Sequence, residues 1–369
     1  MIYLDNGATS FHKPPQVAQA MVRALQTCAN PGRGGYGPSM EASKTVLRCR
    51  ERASRLFDCQ PEQVVFTSNC THGLNMAIST LVKPGDRVVI SGFEHNAVVR
   101  PLHGLGANIV IAGRKLFDPE DTVASFEKAL KQGAAAAVFT HVSNVFGYIL
   151  PVAELGALCR QYRVPFIIDA AQSAGSLPVS LTKTGAAFIA MPGHKGLLGP
   201  QGTGILLCDT EPKPLLLGGT GSMSRSLLMP DFLPDRGEAG TLNVPGIAGL
   251  DAGMAWVEKR GVENIFRNQQ KEAKKFATWL QERGYKVFSG KEQSGTISLL
   301  PKGDCEEFAG ALAKQKIAVR AGLHCAPVAH ESAGTLDTGT VRISFGHDAS
   351  AYQREMLMKT IGRMQIFCE

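Results

Sequence analysis

Two patterns of apolar and polar positions alternate along the first two thirds of the chain. Short, nearly continuous apolar runs recur, and helix-periodic stretches separate several of them. Helices are predicted in THGLNMAISTLV (71–82), where Leu74, Ile78 and Leu81 share one face, and in AELGALCRQYR (153–163). We predict strands in QVVFT (63–67), DRVVIS (86–91), AAAAVFTHVS (134–143), VPFIID (164–169), AAFIAM (186–191) and TGILLC (203–208).

Apolar strands separated by helices are typical of a mostly parallel sheet with helices on both faces. In such sheets, ligands bind beyond the carboxyl ends of the strands. The pattern changes from about residue 246 onward. Two amphipathic helices are predicted in 249–284, followed by strands at 285–290 and 295–301, a helix at 306–315, a strand at 340–346 and a closing helix. This α+β segment has the size of a second domain.

Composition excludes some classes of function. The chain has 369 residues, 44% hydrophobic and 19% charged, and its net charge of +7 includes no dense basic block. We therefore expect no nucleic-acid partner and, since no apolar run is long enough, no membrane span. The nine cysteines are scattered without a C-x-x-C pair, and the opening MIYLDNGATS is not a secretory signal. We expect free thiols, a cytoplasmic setting and no metal site.

Polar groups follow five of the predicted strands. They are Ser68–Gly73, His95, Asn144, Asp169 and Lys195. Taken singly, each group has an ordinary explanation: a helix N-cap in the first group or at Asp169, a capping or core imidazole at His95, and a solvated loop lysine. The chemistry becomes specific only when the five are considered together.

Together, these groups meet the needs of pyridoxal phosphate. Free N–H groups at a helix start bind phosphate, and an imidazole stacks on a flat ring. A carboxylate keeps the pyridinium nitrogen protonated, and a lysine forms a Schiff base. Asp169 follows the apolar run Pro165–Ile168, where a buried carboxylate needs a cationic partner. We expect the glycines of GHKGLLGP (193–200) to let the backbone pass close to this cofactor.

Nine motifs in a fixed order make the chain similar to a known family. They are YLDNGAT (3–9), FTSNCTHGLN (66–75), EHNAVVRPL (94–102), HVSNVFG (141–147), IIDAAQSAG (167–175), GHKGLLGP (193–200), GEAGTLN (237–243), RAGLHCA (320–326) and VRISFG (341–346). The chain resembles the class V aminotransferase family of pyridoxal-phosphate enzymes. Within that family it resembles the cysteine desulfurases and selenocysteine lyases, and its short 320–326 loop resembles the second group of desulfurases.

The resemblance implies a fold-type-I architecture. A large domain of residues 15–248 would hold a mostly parallel seven-stranded sheet flanked by helices. Residues 1–14 and 249–369 would form a smaller α+β domain. The resemblance further implies a homodimer with shared active sites, and a protein that accepts sulfur.

Roles at the cofactor ring follow from the same resemblance. Lys195 would form the Schiff base, Asp169 would pair with the ring nitrogen, Gln172 would bond to the ring oxygen, and His95 would stack on the ring. Lys195, once released by the substrate, would take the α-proton, and His95 would donate or accept a proton in later steps.

Phosphate contacts are implied for Cys70, Thr71 and His194, and Thr241 would reach the phosphate of the neighbouring subunit. The chain departs from the family pattern at two positions. Pro192 stands where many relatives have a hydroxyl residue, and Cys70 replaces the first of two neighbouring threonines. Both departures lower the number of hydrogen bonds expected for the phosphate.

Substrate contacts are implied for Asn144 and Arg342, since a guanidinium matches a carboxylate bidentately. Cys325 occupies the position of the sulfur-accepting nucleophile, and we expect Arg320 and His324 to lower its pKa. The resulting function is conversion of L-cysteine to L-alanine with sulfur passing to Cys325. The alternatives are a selenocysteine lyase, a cysteine sulfinate desulfinase, another class V aminotransferase or lyase, and a non-catalytic subunit.

Overall fold

The computed structural model describes residues 1–32 and 34–364 of the chain. The strands in this part are β1 (Ile2–Tyr3), β2 (Val64–Thr67), β3 (Arg87–Ser91), β4 (Asn108–Ala112), β5 (Ala136–Thr140), β6 (Phe166–Asp169), β7 (Phe188–Pro192), β8 (Gly204–Cys208), β9 (Lys286–Phe288), β10 (Thr296–Leu300), β11 (Ile317–Ala318), β12 (Arg320–Gly322) and β13 (Thr340–Ser344). The helices are α1 (Pro15–Thr27), α2 (Gly37–Phe57), α3 (Cys70–Leu81), α4 (Asn96–Gly104), α5 (Pro119–Leu130), α6 (Val152–Gln161), α7 (Leu181–Thr184), α8 (Val244–Arg260), α9 (Val262–Gln281), α10 (Cys305–Lys314), α11 (Pro327–Ala333) and α12 (Ala351–Ile361).

The large sheet has seven strands in the order β2-β8-β7-β6-β5-β3-β4. Strands β4, β3, β5, β6 and β7 pair in parallel, whereas β8 pairs antiparallel with both β7 and β2. The predicted mostly parallel seven-stranded sheet is therefore confirmed. Every residue of β5, β6 and β7 is buried, which explains the unbroken apolar runs of the sequence.

Helices cover both faces of this sheet. Along β5, Ala137 and Phe139 belong to a core shared with α5 and α6, and Val138 belongs to a core shared with α3 and α4. Successive side chains of a strand point to opposite faces, so a strand covered on both sides must be apolar throughout. This packing holds the ends of the strands in fixed positions.

The C-terminal part forms a second, antiparallel sheet in the order β12-β13-β10-β9. Its core contains Phe276 of α9, Phe308 of α10 and Leu357 of α12. The N-terminus joins this part, because β1 pairs in parallel with β11 and Asp5 bridges to Ser344.

The proposed domain division at residues 248 and 249 stays a prediction. The boundary falls inside α8, whose Ile247, Leu250 and Met254 pack in the core of the large sheet. The sequence pattern predicted no element in residues 15–57, where the structure has α1 and α2. No helix in the described part of the chain is long and apolar enough to cross a bilayer.

Candidate active site

The carboxyl ends of β2, β3, β5, β6 and β7 lie at one edge of the large sheet, since these strands run in the same direction. The five polar groups expected to form a site follow these five strand ends. The sheet therefore brings together residues from Ser68 to Lys195 that are far apart in sequence, at the edge where such sheets bind ligands.

Asp169 is the last residue of β6 and is 3% exposed. Its Oδ1 accepts hydrogen bonds from the backbone N–H of Ala171 (2.8 Å) and the thiol of Cys70 (3.5 Å). Burial raises the pKa of this carboxyl, and the bond from Ala171 and the charge of Lys195 oppose that shift. Oδ2 has no partner among the described residues, so this oxygen can accept a proton-bearing nitrogen.

Lys195 lies in the turn between β7 and β8. The N–H of Leu198 donates to the Lys195 carbonyl (3.0 Å) and closes the turn. Burial lowers the pKa of the Lys195 amine, and the charge of Asp169 opposes the shift. Both groups thus lie in a desolvated environment in which each stabilises the charge of the other.

Protein packing accounts for two glycines of this turn. A Cβ atom on Gly193 would collide with Thr203 Oγ1, and one on Gly196 would collide with the Ala174 carbonyl. The turn needs glycine at both positions to fit against these neighbouring segments. The structure therefore explains them without the close approach to a cofactor expected from the sequence.

His95 caps the N-terminus of α4. Its Nδ1 accepts a hydrogen bond from the Ala97 N–H (3.0 Å), so the remaining ring proton lies on Nε2. Burial lowers the pKa of His95 to about 4, and the charges of Lys195 and Arg342 act in the same direction. The ring is neutral near pH 7, and its Nε2 has no hydrogen-bond partner among the described residues, so this N–H can meet a ligand.

The first turn of α3 offers donors for an anion. Asn69 is the N-cap and accepts from the His72 N–H (2.9 Å), so the helix N-cap considered for the group Ser68–Gly73 is present. The backbone N–H groups of Cys70 and Thr71 have no partner among the described residues. The Cys70 thiol bonds to Asp169, so this residue can offer only its N–H to a phosphate.

A pocket beside α3 brings Thr71 and Thr241 together within one chain. Ser68 and His72 also line it, with Ser68 Oγ 3.2 Å from His72 Nδ1. Sequence reasoning did not single out His72, because a histidine inside an amphipathic helix carries no signal of its own.

Pro192 ends β7, is buried and contributes no hydroxyl. The reach of Thr241 to a neighbouring subunit stays a prediction.

The N-terminal segment lies against the same site. Gln172 Nε2 donates to the Gly7 carbonyl (2.9 Å), and His194 Nδ1 lies 3.0 Å from Thr9 Oγ1. Burial lowers the pKa of His194 to about 4, and Lys195 adds to that effect. Sequence reasoning missed Gly7 and Thr9, although both lie in the motif YLDNGAT.

Arg342 is 2% exposed on β13 and connects three segments. Its Nη2 donates to Asp5 Oδ1 (2.6 Å) and its Nη1 to the Asn144 carbonyl (3.0 Å). Arg342 Nε and Asn144 Oδ1 are both buried and have no hydrogen-bond partner among the described residues. Two unpartnered polar atoms in one buried place favour a polar ligand there. Sequence reasoning also missed Asp5.

Cys325 is the one exposed cysteine among the eight in the described part of the chain, and Cys368 lies outside that part. All eight are free thiols. The carbonyl of Cys325 accepts from the Asn96 N–H (2.8 Å), directly after His95. This bond ties the backbone of Cys325 to the start of α4, next to His95.

The expectation of a cationic imidazole at His324 beside Cys325 is wrong. Its ring is 6% exposed, stacks on His330 at 5.8 Å, and has Nε2 3.2 Å from the Arg320 carbonyl. Burial and the charge of Arg342 lower the pKa of His324 to about 3. A neutral imidazole cannot stabilise a thiolate by its charge.

The family model for class-V aminotransferases matches residues 2–356. The chain belongs to the class-V aminotransferase family. Among curated relatives of this class-V aminotransferase, a probable cysteine desulfurase of Methanothermobacter thermautotrophicus is 31% identical over 98% of this chain and 94% of the relative. A probable cysteine desulfurase of Pyrococcus abyssi is 33% identical over 94% and 89%.

Solved structures support the fold of this class-V aminotransferase. The apo cysteine desulfurase of Thermococcus onnurineus superposes with a TM-score of 0.89 at 30% identity, covering 98% of this chain and 94% of that one. The Escherichia coli cysteine desulfurase CsdA superposes with a TM-score of 0.88 at 24% identity, covering 99% and 95%.

Pyridoxal phosphate is the cofactor of this member of the class-V aminotransferase family, and the residues present fit it. The Lys195 amine makes no hydrogen bond to the described residues, and Asp169 Oδ2 is open to a ring N–H. The start of α3 provides free N–H groups for the phosphate, and His95 provides a neutral ring. Each of these groups follows a different strand of the large sheet.

Proposed function

We propose that this chain is a pyridoxal-phosphate-dependent cysteine desulfurase. It converts L-cysteine to L-alanine and takes up the sulfur on Cys325 as a persulfide. The observation that carries this proposal is the position of Cys325, an exposed thiol whose backbone carbonyl is bonded to the residue after His95. The names of the relatives support the same activity.

Substrate binding is assigned to Arg342 and Asn144. The unpaired Nε of Arg342 offers a charge-assisted hydrogen bond to the substrate carboxylate inside a desolvated site. Asn144 lies beside it and supplies its carbonyl to the guanidinium.

Cofactor binding is assigned to Cys70, Thr71 and His194 at the phosphate, to Asp169, Gln172 and His95 at the ring, and to Lys195 by a covalent bond. When bound, the cofactor supplies an electron sink that makes the α-proton of the substrate acidic. The Lys195 amine, once the substrate amine has displaced it from that covalent bond, would act as the base that takes this proton, and burial lowers its pKa. Thr241 is assigned to the phosphate of a second subunit.

The sulfur step is assigned to Cys325. Its thiolate attacks the substrate sulfur, and a new S–S bond forms while the bond between that sulfur and the substrate β-carbon breaks. The electron pair of the broken bond remains with the carbon, which takes a proton to become the methyl group of alanine. The exchange of that proton is assigned to His95, which is neutral at pH 7 with its own proton on Nε2.

We also propose that the protein acts as a cytoplasmic homodimer and hands its sulfur to an acceptor. The segment 215–232 exposes Leu217, Leu227 and Leu228 to 79%, 103% and 81%. Exposed apolar side chains concentrated in one segment favour burial against another chain. The Leu227→Glu/Leu228→Glu variant is expected to sediment as a monomer, while an unchanged dimer would exclude this segment from the interface.

The test of the activity is release of L-alanine from L-cysteine, with persulfide on Cys325 detected by mass spectrometry. Cys325→Ser should lose alanine formation and keep the visible absorbance of the bound cofactor. Cys28→Ser, at a half-buried thiol, is the matched control and should keep both. Alanine formation by Cys325→Ser at the parent rate would exclude the thiol as sulfur acceptor and favour selenocysteine or cysteine sulfinate as substrate.

A further inference from the structure

The turn that carries Cys325 has an unfavourable backbone conformation. His324 and Cys325 both have positive φ angles, 51° and 56°. Residues with a Cβ atom rarely adopt this left-handed conformation, and two in succession need compensating contacts. The turn is also exposed at Cys325, so burial of that side chain does not provide the compensation.

Two hydrogen bonds provide the compensating contacts, and both donors follow strands of the large sheet. Asn144 Nδ2 donates to the His324 carbonyl at 2.8 Å. The backbone N–H of Asn96 donates to the Cys325 carbonyl at the same distance. Both acceptors belong to the two strained residues, and the donors follow β5 and β3 respectively.

We propose that the Asn96 N–H and the Asn144 amide are positioning groups that hold the Cys325 thiol in register with the substrate sulfur. This inference rests on the proposed desulfurase function. Asn96 directly follows His95, so the first bond ties the thiol to the residue assigned to the ring. The Asn144 carbonyl accepts from Arg342, so the second bond ties it to the carboxylate site.

Asn96→Pro removes the first bond selectively. Asn96 is the first residue of α4, a position where proline is favoured because its missing N–H has no intrahelical partner. His95 before it has φ −78° and ψ 156°, the extended conformation that a following proline requires. Asn96→Ala keeps the N–H and removes only the side chain, so it is the matched control.

Two reactions of the holoenzyme separate positioning from general damage. Alanine formation from L-cysteine needs Cys325, whereas exchange of the α-hydrogen of L-alanine in deuterated water needs only the cofactor site. Asn96→Pro should lower the first rate about 2- to 10-fold, the size expected for one hydrogen bond, and leave the second unchanged. Asn96→Ala should leave both rates unchanged.

Amide hydrogen exchange of residues 322–327 gives a readout independent of activity. It should become faster in Asn96→Pro, and also in Asn144→Asp, because a carboxylate cannot donate to the His324 carbonyl. The inference would be overturned if amide exchange and desulfuration in Asn96→Pro equalled those in Asn96→Ala. It would also be overturned if desulfuration and α-hydrogen exchange fell by the same factor in Asn96→Pro. If the parent protein forms no alanine from L-cysteine, the proposed function fails, while the amide exchange still tests the positioning bonds.

Discussion

Arg342 Nη2 donates to Asp5 Oδ1 at 2.6 Å, so the guanidinium assigned to the substrate already holds a carboxylate of its own chain. Arg342 is 2% exposed and the Asp5 side chain 19% exposed. Burial lowers the pKa of Arg342, and Asp5 opposes that shift. Asp5 therefore stabilises the buried charge before a substrate arrives, and a second carboxylate must share the guanidinium with it.

Asp5→Asn should therefore make the ligand-free protein less stable. It should also increase the stabilisation that a carboxylate ligand provides. The asparagine oxygen can still accept from Arg342, but loss of the negative charge should lower the free energy of unfolding by about 0.5–2 kcal/mol, the difference between a charged and a neutral hydrogen bond. A carboxylate ligand would then compensate the buried guanidinium, so L-alanine should raise the melting temperature more in the variant than in the parent. Thermal unfolding of the holoenzyme with and without L-alanine measures both effects.

Asp348→Asn is the control for this experiment. It breaks the exposed pair of His12 and Asp348, which lie 3.0 Å apart. Surface pairs of this kind contribute less than about 1 kcal/mol, so stability and ligand response should stay near those of the parent. Equal ligand responses in the two variants would show that Asp5 does not compete with the substrate carboxylate.

Lys195→Ala should abolish both activity and the visible absorbance of the covalently bound cofactor. The reason is that no other amine can replace a lysine fixed in the turn after β7. Lys13→Ala is the control that tests whether the effect is specific to Lys195, because Lys13 is also partly buried and burial lowers the pKa of its amine to about 8. Its amine donates to the carbonyl and hydroxyl of Ser10. An unchanged spectrum in Lys195→Ala would refute the cofactor assignment.

A buried ion pair anchors the segment that leads to Thr241. Arg50 Nη1 and Nη2 bond to the two carboxylate oxygens of Glu238 at 3.0 and 2.9 Å, and Oε1 also accepts from the Phe66 N–H at 2.7 Å. Removing one partner of such a pair costs about 3–5 kcal/mol. We expect urea unfolding to show a loss of this size in the free energy of unfolding of Arg50→Met. The double variant Arg50→Met/Glu238→Leu should recover part of that free energy. A double variant no more stable than Arg50→Met would contradict this expectation.

Acid should destabilise the fold through its buried histidines. His330 is fully buried, and burial lowers its pKa from 6.5 to about 4. Between these values the unfolded chain binds a proton that the folded chain does not. The free energy of unfolding therefore falls as the pH falls from 6.5 to 4, by up to about 1.4 kcal/mol per pH unit for this group. Above pH 6.5 the group has no such effect.

His330→Asn should reduce this dependence on pH, whatever its effect on overall stability. His103→Asn, which replaces an exposed histidine, is the matched control and should keep the parental slope. Urea unfolding at several pH values between 4 and 7 measures the slope directly. A parental slope in His330→Asn would mean that other groups control the acid response.

The sequence was sufficient to predict the large sheet and its site edge. Strands such as 166–169 are apolar on both faces because helices cover both, and that pattern is visible without a structure. The polar residues at their ends were recognisable because each interrupts or follows an apolar run. Residues 15–57 gave no such signal, since α2 mixes charged and apolar positions over 21 residues.

Contacts across the chain were beyond the reach of the sequence. Nothing local to Asp5 indicates that it pairs with Arg342, 337 residues away. His324 looked like a cation beside a thiol, but burial against His330 makes it neutral. Cys70 occupied a phosphate position in the motif, yet its thiol bonds to Asp169.

The sequence by itself determined the family and the cofactor and predicted the residues assigned to that cofactor, because these depend on side-chain types following apolar strands. Only the tertiary structure decided which buried groups stay charged and which polar atoms have no hydrogen-bond partner among the described residues. Desolvation and hydrogen bonding depend on neighbours distant in sequence. The bonds from Asn96 and Asn144 to the turn of Cys325 are of this kind. They exist only because β3, β5 and the C-terminal part meet at one edge of the sheet.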